Sequence, residues 1–263
     1  MNKTLKIARY QLHDMLRGKW VLVYALFFFL LTEGLLRFGG NDVKALLSLV
    51  NVVLILIPLV SVLFGSMYLY NAREFTILLL TQPLGRRALY GGLFLGLALP
   101  LTGGYLLGIT LPFLMRGYLL SPNLSVLLML LFAGALLTCI FVSLAFVIAV
   151  KFHDRVRGLG TAILVWLLAT VLYDGILLLL LSALSDYPME KPVMVLMAFN
   201  PVDLSRLILL LQFDIAALMG YTGAVFQAFF GSVVGLLIAV ILLLLWFALP
   251  WWIGLCLFQA KDF

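Results

Sequence analysis

Three methionines are the residues in this sequence whose side chains most suggest metal chemistry. Met189, Met194 and Met197 lie close together in the chain, and their thioether sulfurs suit Cu(I). Methionine on an apolar interfacial helix is also ordinary, because its flexible side chain fills packing gaps. The two cysteines, Cys139 and Cys256, sit in separate apolar runs without a second ligand nearby. We therefore expect no metal site in this chain.

Motifs that bind nucleotide phosphates or activate a nucleophile are absent from the sequence. It contains no G-x-x-x-x-G-K-[ST] loop, no H-E-x-x-H pair and no G-x-S-x-G turn. The only histidines, His13 and His153, fall outside the long apolar segments. We therefore expect no active site of its own and no cofactor bound by this chain.

A few charged residues fall inside or at the edge of apolar segments. Asp174 lies well within one of them, with Tyr173 beside it. A charge inside a membrane is costly, so such a residue usually lines a pathway or pairs with another helix. Both uses are open for Asp174, and Tyr173 and Asp174 are the candidate pathway residues. Glu33 and Arg37 are four residues apart, which suits a helical ion pair or side chains that reach the interface.

These residues must be positioned by a largely apolar protein. Of its 263 residues, 65% are hydrophobic and 11% are charged, and the mean hydropathy is +1.21. This composition is typical of an integral membrane protein. Six segments are long enough to span a bilayer as helices: Trp20–Phe38, Ala45–Tyr70, Leu89–Met115, Ser125–Val150, Leu159–Leu184 and Phe229–Phe258. The predicted fold class is all-α, a polytopic membrane protein with six transmembrane helices in a single domain over residues 1–263.

The basic residues predict the orientation of these spans. An even number of spans puts both termini on one side, and 12 of the 17 Lys and Arg residues fall on that side. By the positive-inside rule, both termini are cytoplasmic. This placement accounts for the net charge of +6, so we expect no nucleic acid partner.

The N-terminal residues 1–19 have the pattern of an amphipathic helix. Leu5, Ala8, Leu12, Met15 and Leu16 fall on one helical stripe, and the basic residues fall mostly elsewhere. This pattern favours an interfacial helix on membrane lipid at the cytoplasmic side. The alternative is a solvated basic tail that only fixes the topology.

The extracytoplasmic region of residues 185–227 is too apolar for a simple loop. Asn200 is placed to cap a helix, with Pro201 at its first position and Asp203 in its first turn. Arg206 and Asp214 make this stretch a poor span. We predict one or two short helices that are re-entrant or lie on the outer interface. A seventh span is the alternative, and it would move the C-terminus outside.

A second unusual stretch, R-E-F-T-I-L-L-L-T-Q-P-L-G-R-R, runs from Arg73 to Arg87 between the second and third spans. Glu74 suits a helix N-terminus, and Pro83 with Gly85 ends the helix, which is predicted over Phe75–Leu80. An exposed apolar helix of this kind binds a partner unless it lies on lipid.

This stretch resembles the signature of ABC-2-type permeases, E-x-T-x-x-x-L-L-T-x-P-L-x-R. The matching residues are Glu74, Thr76, Leu79, Leu80, Thr81, Pro83, Leu84 and Arg86. The N-terminal I-A-R-x-x-L-x-D-x-L-R, from Ile7 to Arg17, is similar to the interfacial helix of the same family. The resemblance implies an ABC-2-type transmembrane domain that works as a homodimer, with ATP and Mg²⁺ bound in a separate ATPase subunit.

In that family, residues 71–88 would form the cytoplasmic coupling helix region that docks on the ATPase. The implied coupling residues are Glu74, Phe75, Thr76, Leu79, Leu80, Pro83, Arg86 and Arg87, with Arg86 and Arg87 as contacts to an acidic surface.

A narrower resemblance rests on L-L-T-Q-P-L-G-R-R, on Tyr173 with Asp174, and on N-P-V-D-L-S-R from Asn200 to Arg206. These stretches are similar to the permeases of the copper-processing system that matures nitrous oxide reductase. The resemblance implies a multi-pass protein of the bacterial cell inner membrane with a NosF-like ATPase. It also implies a periplasmic NosD-like partner, reached through the region of Asn200, Pro201, Asp203 and Arg206.

Two features depart from the narrower pattern. Gln11 stands where a glutamate is usual, and the lead-in to the coupling helix is shortened to Arg73–Thr76. The transported species is left open: a sulfur species, copper, or force alone. Two other functions are carried forward as alternatives: an exporter of a lipid-like or drug-like substrate, and a membrane scaffold or assembly factor without an ATPase.

Overall fold

The computed structural model describes residues 3–40, 42–82, 84–118, 124–183, 190–213 and 233–261. Within these ranges the chain is helical and contains no strand. Six of the described helices are long and apolar enough to cross a membrane: Trp20–Phe38, Val43–Asn71, Arg86–Met115, Leu124–Lys151, Arg155–Ala183 and Val234–Ala260. The predicted all-α fold with six spans is confirmed, and the predicted bounds lie within a few residues of the observed ones.

The helices follow in chain order as α1 (Lys3–Arg17), α2 (Trp20–Phe38), α3 (Asp42–Asn71), α4 (Arg73–Leu80), α5 (Arg86–Met115), α6 (Leu124–Lys151), α7 (Arg155–Leu167), α8 (Tyr173–Ala183), α9 (Glu190–Ala198), α10 (Pro201–Gln212) and α11 (Val233–Ala260). A π-helical turn, Leu168–Leu172, joins α7 to α8, so the two form one continuous fifth span. The six spans are therefore α2, α3, α5, α6, α7–α8 and α11.

Both ends of the described chain lie at the same end of the bundle. Arg86, the first residue of α5, donates a hydrogen bond to the carbonyl of Lys261, while Thr4 lies beside Gly91, one turn further along α5. We call this the termini end, and the opposite one the distal end. The first span runs parallel to the third, because Gln11 packs on Gly96 and Val21 on Gly104.

The third and fourth spans form the centre of the bundle. In their most apolar parts, 67% and 61% of the residues are buried, against 11% in the fifth span. Aromatic rings fill the space between them: Phe146 packs edge-on against both Tyr90 and Phe94. The fifth span therefore leaves most of its apolar surface uncovered by this chain.

Helix α1 packs lengthwise on the start of α5, where glycines allow close approach. A Cβ at Gly96 would lie 2.4 Å from the Cβ of Gln11, so only glycine fits there. The buried face of α1 consists of Ile7, Ala8 and Gln11, whereas Leu5 and Leu16 of the predicted apolar stripe are exposed. The predicted stripe is therefore divided: Ala8 and Met15 pack on the protein, whereas the burial of Ile7 and Gln11 was not predicted.

Candidate functional site

The short helix predicted over Phe75–Leu80 is present as α4, Arg73–Leu80, and it follows the second span without a loop. The chain bends at Ala72, whose N–H donates to the carbonyl of Tyr68 at 2.8 Å. The carbonyl of Ala72 then accepts from both the N–H and the side-chain hydroxyl of Thr76, each at 2.8 Å. These bonds fix the direction of α4 relative to α3 at the termini end.

Helix α4 has one face on the protein and one face uncovered. Thr76 is buried, and the ring of Phe75 stacks on Tyr10 of α1 with a centroid distance of 5.6 Å. Ile77 and Leu78 point away from the chain, and 66% of Leu78 is exposed. The termini end thus carries a short helix, braced by α1, with exposed apolar side chains.

The other residues implied in coupling are divided between the surface and the interior. Glu74 and Arg87 are exposed, while Leu79 and Leu80 are partly buried against the core. Pro83 lies outside the described residues. The side chain of Arg86 is partly buried and is bonded to the end of α11.

At the other functional region, α9 and α10 form a helical hairpin that turns at Phe199 and Asn200. The Asn200 side chain accepts from the N–H of Val202 at 3.1 Å, and Pro201 occupies the first helical position. The cap predicted from the sequence is therefore confirmed. Asp203 lies in the first turn of α10, where a carboxylate favours the helix dipole.

The tip of this hairpin reaches the middle of the bundle. The Asn200 side-chain amide donates to the carbonyl of Ala169 at 2.7 Å, and Ala169 lies midway between the ends of the fifth span. Two further bonds hold the hairpin: the Tyr173 hydroxyl donates to the Leu196 carbonyl at 2.6 Å, and Trp246 Nε1 to the Ala198 carbonyl at 3.0 Å. The tip of the hairpin therefore lies at the depth of the midpoints of the fifth and sixth spans.

The hairpin brings together two sets of residues that the sequence predicted separately. Arg206 Nη1 lies 2.5 Å from Asp174 Oδ2 and 3.4 Å from Asp203 Oδ1. The Asn200 amide donates to Asp203 Oδ2 at 2.9 Å. Asp174 thus pairs with another helix, which is one of the two uses that its position allowed.

The surroundings of Asp203 favour its protonated form. Burial, followed by a hydrogen bond and charge repulsion from Asp174, raises the pKa of this carboxyl from 3.8 to about 7, although Arg206 and Asn200 act in the opposite direction. The two carboxylates share one guanidinium.

Asn200, Pro201 and Asp203 are buried, so they support the hairpin from inside. Residues 184–189 and 214–232, which flank the hairpin in the chain, lie outside the described residues. Asp174 and Arg206 each leave about a third of the side chain uncovered, 32% and 30%.

Some contacts of this region were missed from the sequence. Trp166 Nε1 donates to the Ile55 carbonyl at 3.0 Å and so joins the fifth span to the second. Trp246 joins the sixth span to the hairpin. An indole N–H inside an apolar segment needs an acceptor, and that rule could have marked both residues. The predicted pair of Glu33 and Arg37 is present at 2.8 Å, and Arg116 joins it from the third span at 2.9 Å.

In the part of the chain that is described, no three His, Cys, Asp or Glu residues are grouped as metal ligands would be. Met189 lies outside the described residues, as does the side chain of Met194, while Met197 packs partly buried against the core.

Six spans, a short helix braced at the termini end and a helical hairpin between the fifth and sixth spans define the class of the protein as a polytopic α-helical membrane protein. No family model matches the chain. A protein of Pseudomonas aeruginosa named probable ABC transporter permease protein NosY is 33% identical over 231 residues, which cover 81% of this chain and 84% of the relative. A protein of Stutzerimonas stutzeri with the same name is 29% identical over 99% of this chain and 97% of its own length. The chain belongs to the NosY family of ABC transporter permeases.

Proposed function

We propose that this permease subunit couples ATP hydrolysis by a separate ATPase subunit to movement of its own spans, with α4 as the docking helix. The observation that carries the proposal is the uncovered apolar face of α4, where Ile77 and Leu78 are exposed although Phe75 and Thr76 anchor the helix. Such a face on a soluble side of a membrane protein requires a partner. An ATPase of the NosF type is the partner that membership of this family favours.

The orientation that this requires places the termini end in the cytoplasm of a bacterial cell, with the spans in the inner membrane. The excess of Lys and Arg at that end supports the orientation through the positive-inside rule. The exposed stripe of Leu5 and Leu16 on α1 would rest on membrane lipid, with Lys6 and Arg9 near the head groups.

In this proposal, ATP and Mg²⁺ are held entirely by the ATPase pair. Closure of that pair would push on α4, and the packed spans would move with it as rigid elements. Since Thr76 and Phe75 tie α4 to α3 and α1, the push would reach two helices directly.

The subunit would work as a homodimer through the fifth span. Asp174 and Arg206 lie at the edge of that span's uncovered face, near the depth of the hairpin, and leave about a third of their side chains open. Charged groups exposed to lipid at that depth are costly. A second copy of the chain would cover them, together with the adjacent exposed residues Val171 and Leu178.

The output would be passed through the re-entrant hairpin to a periplasmic NosD-like protein, in support of copper-site maturation of nitrous oxide reductase. Family membership and the position of the hairpin between the fifth and sixth spans support this role. Asn200, Pro201, Asp203 and Arg206 would set the hairpin's position, and Tyr173 and Asp174 would couple it to the fifth span.

Export of a lipid-like substrate is a second candidate, and one observation favours it. An apolar pocket beside the hairpin is lined by Phe141, Leu144, Phe199 and Trp246, among others. A stimulation of ATP hydrolysis by added lipids of one class, without a periplasmic partner, would favour export.

The decisive experiment tests α4 as the docking helix. Leu78→Asp should reduce recovery of the ATPase with the purified permease at least about tenfold, because it puts a charge into an apolar contact. Val156→Asp is the matched control: Val156 is also exposed at the termini end but belongs to another connection, and the ATPase should still be recovered with it. Equal recovery with both variants would reject α4 as the docking helix.

A further inference from the structure

The sixth span contacts both functional regions, and the first contact is made by Arg86. This residue opens α5 shortly after α4 ends at Leu80. Its guanidinium donates to the carbonyls of Gln259 and Lys261, the latter at 3.0 Å, at the end of α11. The last carbonyls of a helix lack partners within it and carry the negative end of its dipole. A cation bound there is well satisfied and is not free to bind another protein.

The end of α11 is also tied to the fourth span. Lys261 Nζ donates to the carbonyl of Val150 at 2.5 Å. Burial, and then the charge of Arg73, lower the pKa of this ammonium group. Three spans thus meet at the termini end through Arg86 and Lys261, directly behind the docking helix.

Aromatic packing holds the third and sixth spans together along the next turns. The ring of Tyr90 lies 5.5 Å from Phe258 and 6.2 Å from Trp251 between centroids. A Cβ at Gly254 would be 2.3 Å from the Tyr90 hydroxyl, so α11 fits closely over this ring. Close packing of this kind lets the two helices move together.

The second contact of the sixth span lies deeper in the bundle. Trp246 donates to the carbonyl of Ala198, the last residue of α9 beside the hairpin tip. Trp246 and Gln259 are separated by 13 helical positions, which is about 20 Å along the helix. One continuous helix, with Pro250 between these two residues, therefore connects the start of α5 to the hairpin.

We infer that Arg86 joins the start of α5 to the end of α11, a contact that we call the clasp, and that it does not bind the ATPase. Through the clasp, the sixth span becomes the element that moves the hairpin. The inference rests on the proposed coupling to an ATPase. It assigns Arg86 a positioning role and differs from the expectation that Arg86 and Arg87 both meet an acidic partner surface. Arg155, an exposed cation at the termini end that belongs to α7, provides a matched control.

The test uses the complex of permease and ATPase in lipid nanodiscs. The label is placed at the hairpin tip, where Phe199 is 64% exposed. Phe199→Cys is made in a chain that also carries Cys139→Ala and Cys256→Ala, and an environment-sensitive fluorophore is attached to the introduced thiol. The readouts are recovery of the ATPase with the permease and the change in emission on adding ATP.

With Arg86→Gln, ATPase recovery should stay within about twofold, while the nucleotide-dependent change falls to about a tenth, because hydrogen bonds to a charged group are lost. Arg86→Lys should restore part of the change, since it keeps the cation at the helix end. Trp246→Phe, which keeps a ring but removes the indole N–H, should reduce the change while leaving recovery unaffected. Arg155→Gln, which removes an exposed cation at the start of α7, should keep both the recovery of the ATPase and the full emission change.

Each other outcome overturns the clasp. Loss of ATPase recovery with Arg86→Gln would make Arg86 a docking contact and leave the proposed function intact. A normal emission change with both Arg86→Gln and Trp246→Phe would show that the sixth span does not move the hairpin. If the unmodified permease neither binds an ATPase nor responds to ATP, both the proposed function and the clasp fail.

Discussion

At the scale of single residues, Asp203 is the residue whose surroundings most favour a change in the stability of the fold with pH. Its carboxyl is 3% exposed and lies against Arg206 and Asn200. Because its pKa is raised in the folded chain, the folded state keeps a proton that the unfolded state loses between about pH 4 and pH 7. Stability should therefore fall as the pH rises through that range and level off above it.

The substitution Asp203→Asn should remove most of this pH dependence of stability. The amide oxygen can still accept from Asn200, and no charge has to be buried. In thermal unfolding of the detergent-solubilised protein, we expect the variant to match the unmodified chain near pH 5 and to be more stable near pH 8. An unchanged slope between these two values would mean that another group titrates.

Arg206 offers a second prediction at this scale. Arg206→Gln leaves Asp174 and Asp203 facing each other without a cation, which should lower the free energy of unfolding by about 3 kcal/mol. Adding Asp174→Asn should recover much of the loss, since Asp203 is then the remaining acid of the pair and its raised pKa favours the neutral form. Equal loss in the single and double variants, measured by urea unfolding, would contradict this account.

Sequence patterns predicted these residues but not their partners. Asp174 was marked because a charge is unusual in a span, and Asn200 because its position before Pro201 predicts a cap. Nothing in the linear order places Arg206 on Asp174, because that pair depends on how deep the hairpin enters. For the same reason Arg86 was interpreted as a surface cation, although the carbonyls it meets belong to a distant helix.

At the scale of elements, the bounds of the spans could be predicted well because a bilayer sets their length. The packed face of α1 could be predicted only in part, since Ile7 and Gln11 are buried where Gly92 and Gly96 of α5 let the two helices approach closely. The π-helical turn at Leu168–Leu172 has no signal in the sequence; its Ala169 carbonyl accepts from Asn200 of the hairpin.

Gly96→Ala tests that packing. The new methyl group would overlap the side chain of Gln11, at a cost of about 1–3 kcal/mol, and α1 should separate from α5. Trypsin should then cleave at Lys6 and Arg9 faster in the variant than in the unmodified chain. Gly103→Ala on the same helix, where nothing lies within 4 Å, should leave the cleavage rate unchanged, and faster cleavage there would refute the argument.

At the scale of the whole molecule, the fifth span is the face where we expect a second copy. Leu178 lies one turn beyond Asp174 and is 66% exposed. When Leu178→Cys is made in a chain that also carries Cys139→Ala and Cys256→Ala, two copies should form an intermolecular disulfide. Leu111→Cys on the third span, also exposed near the distal end, is the control and should not. Crosslinking through Leu111 alone would place the dimer elsewhere.

The packing of the first span has a consequence for the order in which the protein is made. Most of its contacts are with the third span: Val21 and Tyr24 lie on Gly104, Ala25 lies on Gly108, and Glu33 pairs with Arg116. During synthesis the first span therefore enters the membrane well before its partner exists, and it must wait in lipid until residues near Arg116 have been inserted. Its fifteen-residue preceding helix α1 waits with it, since Gly92 and Gly96 arrive in the same segment. The segment up to Phe38 thus acquires most of its native neighbours late, after the ribosome has moved on to the centre of the bundle.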